Sequence, residues 1–340
     1  MPTLQWGILA AGRIAHAFAN GVAHSTAGQL VAVGSRSQEK AEAFANEFKI
    51  PHRHGSYEAL LADPEVEAVY IATPHPMHKE WVIKAAQAKK HILCEKPIGI
   101  NAAEAKAMIA AAKKNKVFLM EAFMYRCHPQ IAKLVDLLRQ KTIGEVRLIQ
   151  STFGFAAGFN PEGRLFANHL GGGGILDVGC YAVSMARLVA GVALGGESAN
   201  PSEVHAVGHL GETGVDEWTV ADLKFPGDIL AQCCTAVRFS PENVVRIFGT
   251  EGKIVIPDPW IPNREGGMSI IQLFRNGKME EIMVESPGWL YGLEADVVAA
   301  NIPNHQAKFP AMNWADTLGN MHTLDKWRKA LGFKYESEKK

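Results

Sequence analysis

Short apolar runs alternate with helical patterns through the first 120 or so residues. Five runs predict buried strands, one beginning at Gln5 and the others at 30–34, 67–72, 91–95 and 117–121. Between the runs, apolar residues recur at helical spacing and predict helices from Arg13 onward and at 39–48, 81–89 and 101–114, with Asn101 as an N-cap. Strands that alternate with helices are typical of an α/β fold with a doubly wound parallel sheet.

From about Gly144 the pattern changes to longer stretches in which apolar and polar residues alternate. A period of two is typical of strands that bury one face. It predicts strands at 145–155, 203–210, 217–225, 229–237, 244–249 and 270–274, with a hairpin turn at 225–228. This half therefore predicts an α+β domain with a large, open, mostly antiparallel sheet.

The change of pattern predicts two domains, residues 1–122 and residues 123–340. An open sheet with one free face needs cover. We therefore expect subunits to associate through that face, as a homodimer or a homotetramer.

The composition of the 340-residue chain is ordinary, 47% hydrophobic and 21% charged. Lys+Arg and Asp+Glu each number 35, so the chain lacks the basic excess typical of proteins that bind nucleic acid or anionic membranes. We find no apolar run of the roughly 18 residues that a membrane span needs, and residues 1–5 lack a basic n-region. We therefore expect neither a membrane segment nor a signal peptide.

The five cysteines, at positions 94, 127, 180, 233 and 234, form no CxxC motif and no regular ladder of spacings. An odd number without such spacing indicates free thiols in a reducing compartment, so we expect a cytoplasmic protein. The chain has no HExxH motif and no Cys/His cluster at zinc spacing. His75 and His78 could in principle share a metal ion, but we expect no metal site.

A tight turn follows the first strand. Ala10, Gly12 and Ala15 take the small-residue places of a GxGxxG dinucleotide fingerprint, in the altered form AxGxxA. Gly12 would let the backbone approach a pyrophosphate, and a helix that starts at Arg13 and Ile14 would supply N–H donors and a favourable dipole. Ala10, Gly12, Arg13 and Ile14 are therefore predicted to bind a dinucleotide.

The tip of the second strand carries Ser35, Arg36 and Ser37. NAD-binding folds usually place an Asp or Glu there to hold the ribose 2′-hydroxyl, and this tip has neither. Arg36 between two hydroxyls suits a 2′-phosphate through bidentate, charge-assisted contacts, and Lys40 adds charge one helical turn later. We therefore expect NADP rather than NAD as the cofactor. The alternative is that Arg36 is a solvated residue at a strand end.

Glu95 and Lys96 stand where the strand 91–95 ends at Pro97. Ligands of open α/β sheets bind outside the carboxyl ends of the strands, so Lys96 would lie where cofactor and substrate meet. A desolvated or charge-coupled lysine there has altered acid–base behaviour. The alternative is a surface ion pair. The residues predicted to line the same crevice on its cofactor side are Thr73, Pro74, His75 and His78.

A glycine-rich loop at 171–174 leads into a predicted helix from about Asp177 to Val189. Asp177 and Tyr181 are four residues apart and therefore share one helix face. An acid beside a phenol in this place predicts a catalytic pair; the alternative is an ordinary buried tyrosine with an Asp at a helix N-terminus. Further polar residues near the crevice are candidate contacts: Arg126 for cofactor, and Arg164 and His169 for substrate.

Together these residues resemble the Gfo/Idh/MocA family of nicotinamide-dependent oxidoreductases, and within it the branch of dimeric dihydrodiol dehydrogenases and glucose-fructose oxidoreductases. The resemblance spans the chain, chiefly through residues 7–15, 35–37, 71–78, 95–97 and 172–181. It implies a Rossmann domain, a substrate domain whose open sheet mediates assembly, and a closing helix near 313–331 that packs back on the Rossmann domain. Many members carry His where Tyr181 stands, and the tyrosine indicates the dihydrodiol-like branch.

The resemblance implies hydride transfer between nicotinamide and a hydroxyl or carbonyl carbon of a sugar, polyol or dihydrodiol. We expect Tyr181 to be the acid/base, Lys96 to lower the pKa of Tyr181 and polarise the substrate oxygen, and Asp177 to orient the substrate or Lys96. Loops near 155–170 and 257–268 are expected to select the substrate.

Two rival functions are compatible with this fold. One is a glycoside-cleaving enzyme that retains its NAD(P) and oxidises the sugar only transiently. The other is a non-catalytic nucleotide-binding regulator. A regulator is expected to have lost Lys96 or Tyr181, and both residues are present in this chain.

Overall fold

The computed structural model describes residues 3–339, so Met1 and Pro2 of the N-terminal segment considered above lie outside the described residues. The predicted parallel sheet is confirmed, with six strands in the order β3–β2–β1–β4–β5–β6. The strand order reverses beside β1, which opens a crevice at the carboxyl ends of β1 and β4. The strands are β1 (Leu4–Leu9), β2 (Gly28–Gly34), β3 (His52–His54), β4 (Ala68–Ile71), β5 (His91–Glu95) and β6 (Leu119–Ala122).

Five helices connect these strands. Three of them begin at side-chain caps, because Ser37, Ser56 and Asn101 each accept a hydrogen bond from a backbone N–H of the first turn. The predicted Asn101 cap is confirmed by a 3.0 Å bond from the N–H of Glu104. The helices are α1 (Arg13–Val22), α2 (Gln38–Phe48), α3 (Tyr57–Ala62), α4 (His78–Gln87) and α5 (Ala102–Asn115).

The second half forms an eight-stranded sheet in the order β14–β13–β12–β11–β7–β10–β9–β8. Within the described part of the chain, β7 and β10 are the only strands of this sheet that pair in parallel. The predicted open, mostly antiparallel sheet is therefore confirmed, together with its six predicted strands. β12, a short strand, and β14, an edge strand with mostly exposed side chains, were not predicted. The strands are β7 (Val146–Gly154), β8 (Glu203–Leu210), β9 (Asp216–Phe225), β10 (Ile229–Ala236), β11 (Val245–Gly249), β12 (Gly252–Ile256), β13 (Gly267–Arg275) and β14 (Lys278–Ser286).

Helices cover one face of this second sheet. α6 (Pro129–Arg139) packs on β13 and β14, α7 (Cys180–Ala193) on β7 and β10, and α9 (Trp314–Ala330) on β8. Along β9 the buried residues alternate with exposed ones, and Trp218, Val220 and Leu230 lie on the uncovered face. The five cysteines are all free, as predicted.

The stretch Asn168–Ala193, which ends with α7, contradicts the expectation that no segment of the chain is long and apolar enough for a membrane span. It has 26 residues and contains an 18-residue window with a mean hydropathy of 1.5, so it is long and apolar enough to cross a membrane by length and composition. All of that apolar window is buried inside the molecule, which is the environment of a core helix.

The chain returns to the first domain through its last two long helices. α8 (Leu290–Asn301), which was not predicted, packs on α1, and Asp296 accepts bonds of 3.0 Å from the N–H groups of Thr26 and Ala27. α9, the predicted closing helix, contacts α5, where Asp325 accepts a 3.0 Å bond from the N–H of Ala102. The division at residue 122 stays a prediction, and these contacts tie the two halves of the chain together.

Candidate active site

A cavity of about 1100 Å³ opens at the carboxyl ends of β1, β2, β4 and β5. This is the place that the parallel sheet predicts for a ligand. The second domain closes the cavity with residues of β7, of the loop after it and of the turn that leads into α7. Most of the predicted site residues line it: Ala10, Gly12, Arg13, Ile14, Ser35, Arg36, Ser37, Lys40, Thr73, Pro74, His75, Glu95, Lys96, Arg164, Asp177 and Tyr181.

The turn after β1 forms an open cradle for an anion. Gly12 is the N-cap of α1, and no side chain among the described residues caps this helix, so the N–H groups of Arg13 and Ile14 are available to a ligand. A Cβ at Gly12 would meet no atom within 4 Å, which leaves space directly over the backbone. Ala10 has a φ of 84°, a conformation that favours glycine, so the turn keeps a glycine-type backbone without its first glycine.

Thr73 adds a second sign of a ligand site. Its Oγ1 is buried and has no hydrogen-bond partner among the described residues. Leaving a buried hydroxyl unpaired costs about 1–3 kcal/mol, so a polar ligand group is the expected partner in this cavity. The cradle at Gly12 and the unpaired Thr73 hydroxyl together fit a dinucleotide whose phosphates lie on α1.

The tip of β2 forms a cationic end of the cavity. Arg36 and Lys40 are exposed there and line the cavity. The carboxylates among the described lining residues are Glu95 and Asp177, and both lie beside Lys96 instead. A ligand group at this tip therefore meets positive charge and hydroxyls, which suits a phosphate.

Lys96, Asp177, Arg164 and Tyr181 form what we call the lysine cluster. The Nζ of Lys96 donates a 2.7 Å bond to the backbone oxygen of Asp177 and lies 3.4 Å from its Oδ1. Arg164 donates to the same Oδ1 at 3.0 Å. The ammonium also lies 5.2 Å from the ring centre of Tyr181. Lys96 and Asp177 are mostly buried, with 15% and 6% of their side chains exposed.

Mutual attraction keeps both buried groups charged. Burial is the largest influence on the pKa of Asp177, yet Lys96 and Arg164 together hold that pKa well below its usual range. Burial lowers the pKa of Lys96, but Asp177, Cys180 and Glu95 together more than offset it, and the net pKa is raised. At neutral pH the cluster therefore holds an ammonium against a carboxylate.

Tyr181 differs from expectation in its acidity. It is 4% exposed and packs among four aromatic rings, those of Phe123, Tyr125, Phe153 and Trp260. Its hydroxyl contacts the Sδ of Met124 at 3.4 Å, while Lys96 lies over the ring. Burial raises the pKa of Tyr181 well above its usual range, so the predicted lowering by Lys96 is wrong. Tyr181 is a neutral phenol, a proton donor rather than a ready base.

Two further predicted residues line the cavity while their polar groups contact the protein. Glu95 accepts a hydrogen bond from the phenol of Tyr70 and another, of 3.2 Å, from the N–H of Lys96, and burial raises the pKa of Glu95. The Nδ1 of His75 lies 3.2 Å from the oxygen of Gly171. Burial lowers the pKa of His75 well below its usual range, so its imidazole is neutral.

Three predicted contacts do not line the cavity. His78 is fully buried, and its ring nitrogens lie 2.9 Å from the oxygen of Pro97 and 2.8 Å from that of Thr73, so it supports the wall from behind. Arg126 is also buried and binds Asp316 at 2.7 Å. His169 is exposed on the turn before the glycine loop. Direct cofactor contact by His78 and Arg126 is therefore wrong, because both side chains are buried against protein partners, whereas substrate contact by His169 stays a prediction.

Most of the lining residues that sequence reasoning missed are apolar or aromatic. Phe155, Ile261 and Arg264 belong to the loops expected to select the substrate, whereas Tyr291 comes from α8, which was not predicted at all. For Tyr57, the sequence did offer one signal: Ser56 before it is a typical N-cap residue and predicts that a helix, α3, begins at Tyr57. The missed residues are Ala11, Ala17, Tyr57, Ala72, Met77, Met124, Phe153, Phe155, Val178, Ile261, Arg264 and Tyr291.

Comparison with known proteins agrees with this architecture. Residues 4–123 match the Gfo/Idh/MocA oxidoreductase family with its NAD-binding Rossmann fold, and residues 131–255 match the family's C-terminal domain. The chain is 34% identical to trans-1,2-dihydrobenzene-1,2-diol dehydrogenase of Mus musculus, over 99% of both chains. It is 37% identical to the enzyme of the same name from Xenopus tropicalis, over 97% of this chain and 99% of that one.

Solved structures superpose on nearly the full chain. An aldose-aldose oxidoreductase from Caulobacter crescentus, complexed with glycerol, has a TM-score of 0.85 at 26% identity and covers 96% of this chain and 97% of its own. A 3-ketoreductase from Actinomadura kijaniata, in complex with NADP and TDP-benzene, has a TM-score of 0.82 at 24% identity, over 97% of this chain and 98% of its own, and shares the fold. The full-length relatives and both family matches show that this chain belongs to the Gfo/Idh/MocA family of NAD(P)-binding oxidoreductases.

Proposed function

We propose that the protein is an NADP-dependent oxidoreductase that moves a hydride between nicotinamide and a hydroxyl or carbonyl carbon of a sugar, polyol or dihydrodiol. One observation carries the proposal: the lysine cluster and the anion cradle at Gly12 line the same cavity. An ammonium and a neutral phenol beside a dinucleotide site are the groups that carbonyl reduction needs. By their names, the relatives described above act on dihydrodiols and aldoses.

Each residue of the lysine cluster takes a separate part in the chemistry. When bound, the nicotinamide supplies or accepts the hydride. Tyr181 donates a proton to the substrate oxygen in reduction, and its phenolate accepts one in oxidation after the phenol has lost its own proton to solvent. Lys96 stabilises the negative charge that develops on that oxygen. Asp177 positions Lys96, because its backbone oxygen fixes the ammonium and its carboxylate keeps the lysine charged.

The cavity wall supports a ring-shaped substrate. The ring of Phe153 lies 5.2 Å from that of Tyr181, and Phe155, Ile261 and Tyr291 extend this apolar lining. Such a wall suits a carbocyclic ring or the C–H face of a pyranose. Arg164 and Arg264 add hydrogen-bond donors for substrate hydroxyls, as Arg presents donors in a fixed fork.

Absorbance of reduced nicotinamide, followed with purified protein and either NADP⁺ or NAD⁺, tests the proposal. The substrate panel contains aldoses, anhydrosugars, inositols and dihydrodiols. We expect turnover with at least one of them and a preference for NADP⁺. If no member of the panel changes the absorbance, but denaturation releases nicotinamide, the retained-cofactor glycosidase replaces this proposal.

The cofactor preference is tested at Arg36. Arg36→Ala removes a charge-assisted contact to the 2′-phosphate, so we expect the KM for NADP⁺ to rise by about 10–100-fold while the KM for NAD⁺ changes little. Arg53→Ala is the matched control, since Arg53 is exposed on the neighbouring β3 and does not line the cavity. Equal changes in both KM values would assign Arg36 to general binding rather than to 2′-phosphate recognition.

We also propose a homodimer or homotetramer assembled through the uncovered face of the second sheet. Trp218 and Leu230 are 37% and 50% exposed on this face, and Val220 lies between them along the strands. Light scattering of the purified protein is expected to give two or four chains, and Val220→Glu with Leu230→Glu is expected to give one. Leu194→Glu, at an exposed residue that follows α7, is the control. A monomeric wild-type protein at micromolar concentration would contradict this assembly.

A further inference from the structure

We infer that His52, His54 and Asp63 form a binding site for a divalent transition-metal ion of the zinc type. His52 and His54 are alternate residues of β3, the edge strand of the parallel sheet, so their side chains project on the same side. Asp63 follows α3 directly and brings its carboxylate to them. One ligand atom from each residue lies within 4.8 Å of the others. None of the three lines the cavity described above.

Both imidazoles converge on one carboxylate oxygen. The Nδ1 of His52 lies 2.7 Å and the Nε2 of His54 lies 2.9 Å from Oδ2 of Asp63. Zinc bonds of about 2.0–2.2 Å place neighbouring ligand atoms of a tetrahedral site about 3.3–3.5 Å apart. The trio therefore needs to open by about 0.5 Å. The two histidine side chains can move apart in this way because they are 31% and 23% exposed, whereas the side chain of Asp63 is only 4% exposed and stays in place.

The groups behind the ligands are arranged as in metal sites. The Oδ1 of Asp63 accepts a 2.9 Å bond from the N–H of Glu65, which leaves Oδ2 for an ion. The Nε2 of His52 faces the carboxylate of Glu65 at 3.6 Å, and such an outer carboxylate fixes the ring orientation of a metal-bound histidine. Lys90 donates to the backbone oxygens of Asp63 and Val66 at 2.7 Å and so fixes this turn, although its charge opposes a cation.

The donor set selects the class of ion. Two imidazole nitrogens and one carboxylate suit Zn²⁺, Co²⁺ or Ni²⁺, whereas Mg²⁺ and Ca²⁺ take oxygen ligands. Three protein ligands leave a fourth position for water, which the partly exposed surface provides.

An ion at this site would connect two segments that border the cavity. The backbone oxygen of His54 accepts a 3.0 Å bond from the N–H of Ser35, next to Arg36. Tyr57, the first residue of α3, lines the cavity. Joining β3 to the end of α3 therefore stabilises the part of the cavity that carries Arg36. The inference is independent of the proposed reaction, because no residue of the lysine cluster takes part.

Calorimetric titration of the full-length, chelator-treated protein with Zn²⁺ tests the site. We expect one Zn²⁺ per chain, visible absorption bands when Co²⁺ replaces it, and no binding of Mg²⁺. Combining His52→Asn with His54→Asn is expected to abolish Zn²⁺ binding. Glu65→Gln is expected to weaken it by about 10–100-fold, the usual effect of losing an outer-shell partner.

His16→Asn is the matched control, because the Nε2 of His16 also faces a carboxylate, Glu47 at 3.2 Å, in a simple pair. This variant is expected to bind Zn²⁺ as the wild-type protein does. The melting temperature of each metal-free variant shows whether it has folded. If the wild-type protein binds no more Zn²⁺ than the folded double variant, the three residues form only a hydrogen-bonded cluster and the inference is overturned.

Discussion

Replacing Tyr181 with Phe is expected to lower turnover by about 10²–10⁴-fold, the loss that follows removal of a proton-transfer group. The hydroxyl has only a 3.4 Å contact with the Sδ of Met124 and the ring stays in its aromatic cluster, so the substitution removes little except the proton. Lys96→Ala is expected to lower turnover by a similar factor, because it removes the charge that stabilises the substrate oxygen. Neither change is expected to alter cofactor affinity by more than a few fold.

Steady-state turnover and cofactor binding, measured separately, test this pair of substitutions. Tyr125→Phe is the matched control: Tyr125 is equally buried, its ring centre lies 5.7 Å from that of Tyr181, and its hydroxyl bonds Ser184 instead of reaching the cavity. This control should turn over nearly as fast as the wild-type protein. Normal turnover in Lys96→Ala would remove Lys96 from the mechanism.

The raised pKa of Tyr181 sets the expected sign of the pH dependence. A phenol whose pKa lies above its usual value of about 10 stays protonated near neutral pH. Reduction, which uses the protonated form, should therefore hold its rate from about pH 6 to 9, whereas oxidation, which needs a proton acceptor, should rise with pH over that range. Tyr181→Phe should remove the rise. Oxidation that is independent of pH in the wild-type protein would point to a different base.

Asp316→Asn is expected to destabilise the protein by about 3–5 kcal/mol, because it leaves two buried guanidinium groups without their carboxylate. Asp316 bridges Arg126 and Arg187, and all three side chains are at most 2% exposed. The bridge joins the segment after β6 to α7 and α9. The shift of the chemical denaturation midpoint, with the slope compared between variants, measures the loss.

The matched control is Glu251→Gln, which breaks an exposed ion pair with Arg275 and should have little effect. Burial raises the pKa of Asp316, but Arg126 and Arg187 outweigh it and the net pKa is lowered. The bridge therefore contributes fully to stability above the pKa of Asp in the unfolded chain, about 3.9. This contribution is lost as the pH falls through the lower pKa of Asp316 in the folded protein. The difference in the free energy of unfolding between the wild-type protein and Asp316→Asn should therefore be constant near neutral pH and decrease only in acid.

Local sequence patterns were sufficient for most of the fold. The alternation of strands and helices predicted the parallel sheet because strands such as β4 and β5 are mainly apolar runs, buried on both faces. The edge strand β3, His-Arg-His, is polar and partly exposed, and it was not predicted. The strict alternation along β9 predicted a sheet with one exposed face. α8 was missed because it is apolar nearly all round: it is packed into the molecule from several sides, so no polar stripe marks it as a helix.

The candidate site residues show the same contrast between what local sequence patterns predict and what distant contacts decide. Lys96 and Asp177 are 81 residues apart, and only the general rule about strand ends placed them in one crevice. Sequence spacing also predicted that Asp177 and Tyr181 share a helix face, but it carried no information on the burial that raises the pKa of Tyr181. For Arg126, the polar side chain indicated a ligand contact, while its actual partner, Asp316, lies 190 positions away.

What the sequence by itself determined is therefore what depends on near neighbours along the chain: strand and helix periods, the turn at Gly12, the cationic tip at Arg36 and the family. The tertiary structure alone decided what depends on distant partners. It directed Arg126 to Asp316, placed α8 against α1, and brought His52 and His54 to Asp63. The physical reason is that burial and charge pairing are properties of the space around a side chain, and that space is filled by segments far away in the sequence.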